Sequence, residues 1–91
     1  MSEFHIYNLG NLPLIIFKTN VGYIATPYIS KEMAEKVGDI AAFTDGVKTK
    51  EAFVKGKIRK ITKWAEDLGL REGMTVKRAM RILEEAETKS T

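Results

Sequence analysis

The segment from Val47 to Trp64, VKTKEAFVKGKIRKITKW, holds most of the side chains with which this sequence could bind a ligand. It carries seven cations and a single acid, Glu51. The cations are Lys48, Lys50, Lys55, Lys57, Arg59, Lys60 and Lys63. Lysine and arginine neutralise phosphates, and nucleic-acid affinity depends strongly on how many are neutralised. The segment therefore predicts a phosphate-binding surface, and its preponderance of lysine favours contacts to the backbone over the reading of bases.

Apolar residues in the same segment recur at a helical spacing. They stand at i, i+4, i+7, i+11 and i+14, namely Val54, Ile58, Ile61, Ala65 and Leu68. This spacing predicts one helix from about Thr49 to Leu68. On that helix Lys55, Arg59 and Lys63 would form a ridge opposite the apolar stripe, with Lys60 beside them. The ridge would repel itself, which favours a role in attracting an anion.

A solvated polar face is the alternative explanation of these cations, because every amphipathic helix needs one. An anionic membrane surface or an acidic protein patch would also suit a basic amphipathic helix. Under the alternative, the chain is a homo-oligomeric interaction or structural protein whose last helix supplies the interface. A homodimer is expected under either interpretation, because 91 residues bury only a modest core.

The formal charge of +3 is unevenly distributed along the chain. Residues 1–47 carry three cations and five anions, for a charge of −2, whereas residues 48–91 carry twelve cations and seven anions, for +5. A basic second half predicts an anionic partner, and nucleic acid is the one that we expect, DNA before RNA.

The sequence offers no arrangement typical of catalysis. It has no cysteine and a single histidine, His5, so thiolate metal sites are excluded and an imidazole site would need several chains. The serines lie in tails or at a predicted helix cap, and no glycine-rich phosphate loop has Walker or Rossmann spacing. We therefore expect no enzyme activity, no catalytic residue, no cofactor and no metal.

Short strands come first in the predicted fold. Three segments rich in β-branched and aromatic residues are separated by turn signals, at Glu3 to Leu9, Leu12 to Lys18 and Tyr23 to Ile29. They predict an antiparallel β-meander over residues 1–29. Three α-helices follow over residues 30–87, and residues 88–91 form a frayed tail. The chain is thus predicted to be a single α+β domain of residues 1–91.

Two further helices complete the prediction. Ser30 caps the first helix, whose apolar face would be Met33, Val37, Ile40 and Ala41. Thr75 caps the last helix, whose apolar face would be Val76, Ala79, Met80 and Leu83. On that helix Arg78 and Arg81 have two explanations: they extend the phosphate-binding surface, or they pair with Glu84 or Glu85, which stand at i+3 and i+4 from Arg81. We expect the pairing.

The segment Ser30 to Gly38, SKEMAEKVG, resembles the first half of a helix-turn-helix, with Ala34 four residues before Gly38. The second half does not match, because Gly46 would fall inside the recognition helix. Residues 3–39 also resemble the amino-terminal, Bro-type domain of phage and viral antirepressor proteins. The matching positions are Tyr23–Ala25, Ile29, Ala34 and Val37–Gly38. The resemblance implies a DNA-associated transcriptional regulator from a virus or mobile element, and it carries no catalytic residue.

The sequence also predicts a cell location and an origin. No apolar run approaches the roughly 20 residues that a membrane span needs, and no signal peptide is visible. We therefore expect a soluble intracellular, cytoplasmic protein. The absence of glutamine and the abundance of isoleucine, lysine and glutamate are typical of hyperthermophile proteins.

Overall fold

The computed structural model describes residues 2–28 and 30–89 as an α+β fold with a mixed sheet. Its elements in chain order are β1 (Glu3–Asn8), β2 (Pro13–Lys18), β3 (Tyr23–Ala25), α1 (Lys31–Val37), β4 (Ala41–Thr44), α2 (Lys50–Lys55), β5 (Ile58–Ile61), α3 (Lys63–Leu68) and α4 (Val76–Lys89). None of these helices is both long and apolar enough to cross a bilayer.

The strands lie side by side in the order in which they occur along the chain. Strands β1, β2 and β3 form the predicted antiparallel meander. Strand β4 then pairs in parallel with β3, because α1 carries the chain back across the sheet, and β5 pairs antiparallel with β4. The α+β class and the meander are confirmed, but the described part of the chain has five strands and four helices where three of each were predicted.

The predicted helix from Thr49 to Leu68 is wrong. The segment forms α2, then β5, then α3, with Gly56 ending α2 and Thr62 capping α3. Strand β5 contains a bulge: Phe43 faces Lys60 and Thr44 faces Ile58, so Arg59 is an additional residue. The bulge turns both Ile58 and Ile61 into the core, and this three-residue spacing within a strand imitates a helical repeat.

The larger core lies on one face of the sheet. There β2, β3 and β4 contribute Ile15, Phe17, Ile24 and Ala42, and α2 and α4 cover them. Its remaining buried members are Phe53, Ile58, Ile61, Ala65, Leu70, Val76, Ala79 and Leu83. The predicted apolar face of the last helix is confirmed, since Val76, Ala79 and Leu83 are fully buried and Met80 is half-buried.

Helix α1 covers part of the opposite face, where the smaller core consists of Ala25, Ala34, Ala41 and Phe43. The predicted cap is confirmed, because the Ser30 hydroxyl accepts a hydrogen bond from the Met33 N–H, and Gly38 ends the helix at a φ of 85°. The predicted apolar face is wrong. Met33 is 57% exposed and Val37 is 64% exposed, and Ala34 is the residue that α1 buries.

Two boundaries also differ from the sequence-based prediction. Strand β3 ends at Ala25, ahead of Pro27, and Ile29 lies outside the described residues. Helix α4 continues through the predicted tail to Lys89, and the Thr88 hydroxyl donates to the Glu84 carbonyl at 3.1 Å. The last two residues of the predicted tail, Ser90 and Thr91, also lie outside the described part.

Candidate functional site

The seven predicted phosphate-binding cations do not form one ridge. All seven are exposed, but they are distributed over α2, β5, the first residue of α3 and the intervening loops. Helix α2 packs on the larger core through Phe53, and the Lys50 Nζ lies 4.2 Å from the centroid of the Phe4 ring. Arg59 and Lys60 instead line a cleft beside α1. The cations therefore belong to two different surfaces.

Backbone hydrogen bonds join the end of α2 to the start of α4. The Val76 N–H donates to the Gly56 carbonyl at 2.9 Å, and Lys57 pairs with Thr75 in an antiparallel bridge. Four exposed cations stand within two residues of the Gly56–Val76 bond: Lys55, Lys57, Lys77 and Arg78. We call these four residues the basic corner. The sequence separates its two halves by about twenty residues, and this contact brings them together.

The start of α4 adds to the positive potential of the basic corner. The Thr75 hydroxyl accepts from the Arg78 N–H at 3.1 Å, which confirms Thr75 as the cap, and the first turn of α4 contains no acid. A helix dipole presents its positive end there, so Lys77 and Arg78 lie where cations are disfavoured. The cost falls when an anion is bound, because such a helix end also attracts negative charge.

Ion pairing does not neutralise the basic corner. Within residues 2–28 and 30–89, ion pairs shorter than 4.0 Å join His5 to Glu3, Lys31 to Glu35 and Arg59 to Asp45. The predicted pairing of Arg78 and Arg81 with Glu84 or Glu85 is therefore wrong. Arg81 is exposed one turn beyond Arg78, so it extends the corner along α4.

The cleft beside α1 has a volume of about 750 Å³ and a mixed charge. It lies between the first turn of α1 and the ends of β4 and β5, and its charged lining residues are Lys31, Glu32, Glu35, Asp45, Arg59, Lys60 and Glu72. The Arg59 Nε donates to the Asp45 Oδ2 at 2.9 Å. With four acids against three cations, the cleft is a poor site for a polyanion.

Lys63 and Lys48 belong neither to the basic corner nor to the lining of the cleft. The Lys63 N–H donates to the Glu35 Oε1 at 2.9 Å, and the Lys63 Nζ lies 5.8 Å from the centroid of the Trp64 ring. Lys63 thus belongs with α1 and its acids. Lys48 is exposed in the loop before α2, on the chain that leads to Lys50 and Lys55.

Tyr23 lies outside these surfaces and has a pKa shifted from its ordinary value. Burial, and to a smaller extent the neighbouring Asp39 carboxylate, together raise the pKa of Tyr23 to about 12. The Tyr23 hydroxyl donates to the Asp39 Oδ2 at 3.2 Å. Nowhere among the described residues do three acidic or histidine side chains come together as metal ligands would.

The sequence named Lys55 and Lys57, and it offered Arg78 and Arg81 as an extension of the surface while favouring ion pairs for them. It gave no indication of Lys77 or of the contact between the end of α2 and the start of α4. The signal that could have revealed it was local. Gly56 interrupts the predicted helix, and two cations follow the Thr75 cap where acids are the usual choice.

The chain was compared with known proteins by sequence and by structure. Residues 27–83 match a family model described as "Domain of unknown function (DUF1805)". No curated protein matches the chain. The crystal structure of a protein of unknown function from Thermoplasma acidophilum is similar at a TM-score of 0.78 and 27% identity, over 91% of this chain and 93% of that one.

Proposed function

The chain belongs to that family of unknown function, and we propose from its own residues that it is a non-catalytic nucleic-acid-binding protein. The basic corner, Lys55, Lys57, Lys77 and Arg78, contacts phosphates in this proposal. Lys48, Lys50 and Arg81 extend the surface on either side. Three residues that the sequence placed in the same site do not take part: Arg59 and Lys60, which line the cleft, and Lys63, which contacts Glu35 of α1.

The observation that carries the proposal is the concentration of unpaired positive charge at the Gly56–Val76 contact. Four exposed cations gather there, none is in an ion pair within the described residues, and two stand in the first turn of a helix. Self-repulsion and the helix dipole both oppose this arrangement. Phosphate groups relieve both costs because they neutralise the cations, whereas water and dissolved salt only screen them.

Lysines make up three of the four corner residues, which favours backbone contact without strong base selection. The preference for DNA over RNA and the role as a viral or mobile-element regulator remain predictions. The resemblance to Bro-type domains also remains a prediction, and the proposal does not depend on it. The competing proposal is a homo-oligomeric protein whose cations are only solvated.

The test is a fluorescence-anisotropy titration with labelled duplex and single-stranded DNA and RNA over a series of salt concentrations. If four phosphates are neutralised on duplex DNA, log K falls against log salt with a slope of about −4. The ranking of the probes identifies the type of nucleic acid. An absence of binding at low salt would leave the corner as a solvated surface and favour the competing proposal.

The matched variants are Lys77→Glu with Arg78→Glu, and Lys60→Glu with Lys63→Glu. Both pairs change the charge by the same amount. The first pair should reduce the salt slope by about two and weaken binding strongly. It should not impair folding, because acids suit the first turn of a helix. The second pair should leave binding much less affected. Equal losses from both pairs would mean that net charge, and not the basic corner, determines binding.

A further inference from the structure

The two edges of the sheet differ in how they are protected against pairing. Strand β5 is four residues long, contains the bulge and exposes Arg59 and Lys60. These are the usual devices by which a protein blocks an edge. Strand β1 is six residues long, pairs with β2 without a register shift and has one acid, Glu3, at its first residue. Apart from Glu3, its edge has none of those devices.

The backbone groups that β1 leaves free can be identified from its neighbours. The Ile15 carbonyl accepts from the Thr26 N–H and the Ile15 N–H donates to the Thr26 hydroxyl, both at 3.1 Å, so the Ile15 groups face away from β1. Because groups alternate along a strand, those of Leu14 and Ile16 face β1, where they oppose Tyr7 and His5. The outward groups of β1 are therefore those of Phe4, Ile6 and Asn8.

Apolar side chains accompany these free groups. Ile6 is 49% exposed, Tyr7 is 50% exposed, and Leu9 just beyond the strand is 57% exposed. The His5 and Tyr7 rings stack at 6.4 Å between centroids with an interplanar angle of 5°. An exposed edge with free hydrogen-bonding groups and apolar side chains on both faces is typical of a strand that pairs with another chain.

We propose that β1 pairs antiparallel with β1 of a second copy of this chain, with Ile6 opposite the partner's Ile6. In this register Phe4 also lies opposite the partner's Asn8. The outward backbone N–H and C=O groups of each strand therefore face those of the other strand and can form hydrogen bonds with them. A shift by one residue would set outward groups against groups already bonded to β2. The two sheets become one continuous sheet.

The side chains agree with this register. Directly opposed residues point to the same face, so His5 lies beside the partner's Tyr7 and continues the aromatic stack. Glu3 falls opposite the partner's Leu9, so like charges do not face each other across the junction. A two-fold axis through Ile6 makes the surface self-complementary, which is why a second copy fits it better than an unrelated strand.

The proposal is independent of nucleic-acid binding, and it places the expected homodimer on β1 instead of the last helix. Sedimentation equilibrium over a range of concentrations should show a dimer of the unaltered protein. Ile6→Lys and Ile6→Glu should each give monomers, because each would set two like charges directly opposite. An equimolar mixture of the two variants should recover the dimer, since only a position that faces itself gives opposite charges in the mixed pair.

Met33→Lys is the matched control, since Met33 is also exposed but lies on α1; its dimer should persist. A second readout uses the absence of cysteine from the chain. Ile6→Cys should form a disulfide-linked dimer with oxidised glutathione, because Cα atoms about 5.5 Å apart permit the bond, and Met33→Cys should not. A monomer at every concentration, or a dimer that survives Ile6→Lys, would overturn the proposal.

Discussion

Tyr23 shows at the scale of one residue how burial and a neighbouring charge set a titration. It lies at the start of β3, is half-buried beside Phe43 and donates its hydroxyl to Asp39. Burial disfavours the phenolate, and the Asp39 carboxylate repels it, which together bring the pKa to about 12. An unfolded tyrosine titrates at about 10.

This difference predicts the pH dependence of stability in the alkaline range. Because the folded pKa is the higher one, the contribution of Tyr23 is fully present below about pH 10. It is lost as the pH rises through about 12. Phenolate absorbance measured against pH should show a late step that Tyr23→Phe removes.

Asp39→Asn separates the two causes. It should shift the late step only partly toward lower pH, because burial is the larger cause and stays in place. An unchanged titration curve in Tyr23→Phe would show that another tyrosine produces the late step.

At the scale of elements, caps were predicted from the sequence and the long helix was not. Ser30 and Thr75 act as caps through hydrogen bonds within three residues, so their sequence neighbourhood determines them. The helical repeat through Ile58 and Ile61 arose from a strand whose bulge depends on pairing with β4. The spacing of apolar residues cannot distinguish a helix from this bulged strand, because the bulge depends on the pairing of β5 with β4.

Gly22 supports a second prediction at this scale, where β3 begins beside β4. A Cβ built on Gly22 would lie 2.2 Å from the Ile40 carbonyl oxygen, and that carbonyl accepts from the Tyr23 N–H at 3.0 Å. Gly22→Ala must therefore push the two strands apart. We expect a loss of about 2 kcal/mol or more in the free energy of unfolding, measured with denaturant.

Gly10→Ala is the control for that substitution, because a Cβ there meets no atom within 4 Å. It should be neutral or stabilise by about 0.4–1 kcal/mol, since it restricts only the unfolded chain. Equal unfolding midpoints for the two variants would show that β3 and β4 can separate at that point without cost.

At the scale of the whole molecule, the sequence revealed the charge of the site but not its location. The basic second half and two residues of the basic corner, Lys55 and Lys57, could be identified from the sequence alone. The sequence did not show that the seven cations are divided between two surfaces. That division arises because a strand, β5, separates α2 from α3 along the chain. The meander was predictable because its strands are joined by short turns, whereas β4 pairs in parallel after a helix.

The order of the strands has a consequence for how the chain folds. Every strand pairs with the next one along the chain, so the sheet can grow strand by strand, first across two short turns and then across the segments that contain α1 and α2. Helix α4 must return from a distant part of the sequence to contact β3. We therefore expect α4 to dock after the rate-limiting step, which makes its packing contribute to the unfolding rate.

Stopped-flow measurements on two buried positions would reveal this order. Leu83→Ala on α4 should mainly accelerate unfolding, whereas Ile24→Ala on β3 should mainly slow folding. The reverse pattern would mean that α4 belongs to the nucleus. If α4 does dock last, the basic corner is completed only in the final stage of folding, because two of its residues lie on α4. The sheet would then form before the proposed phosphate-binding surface exists.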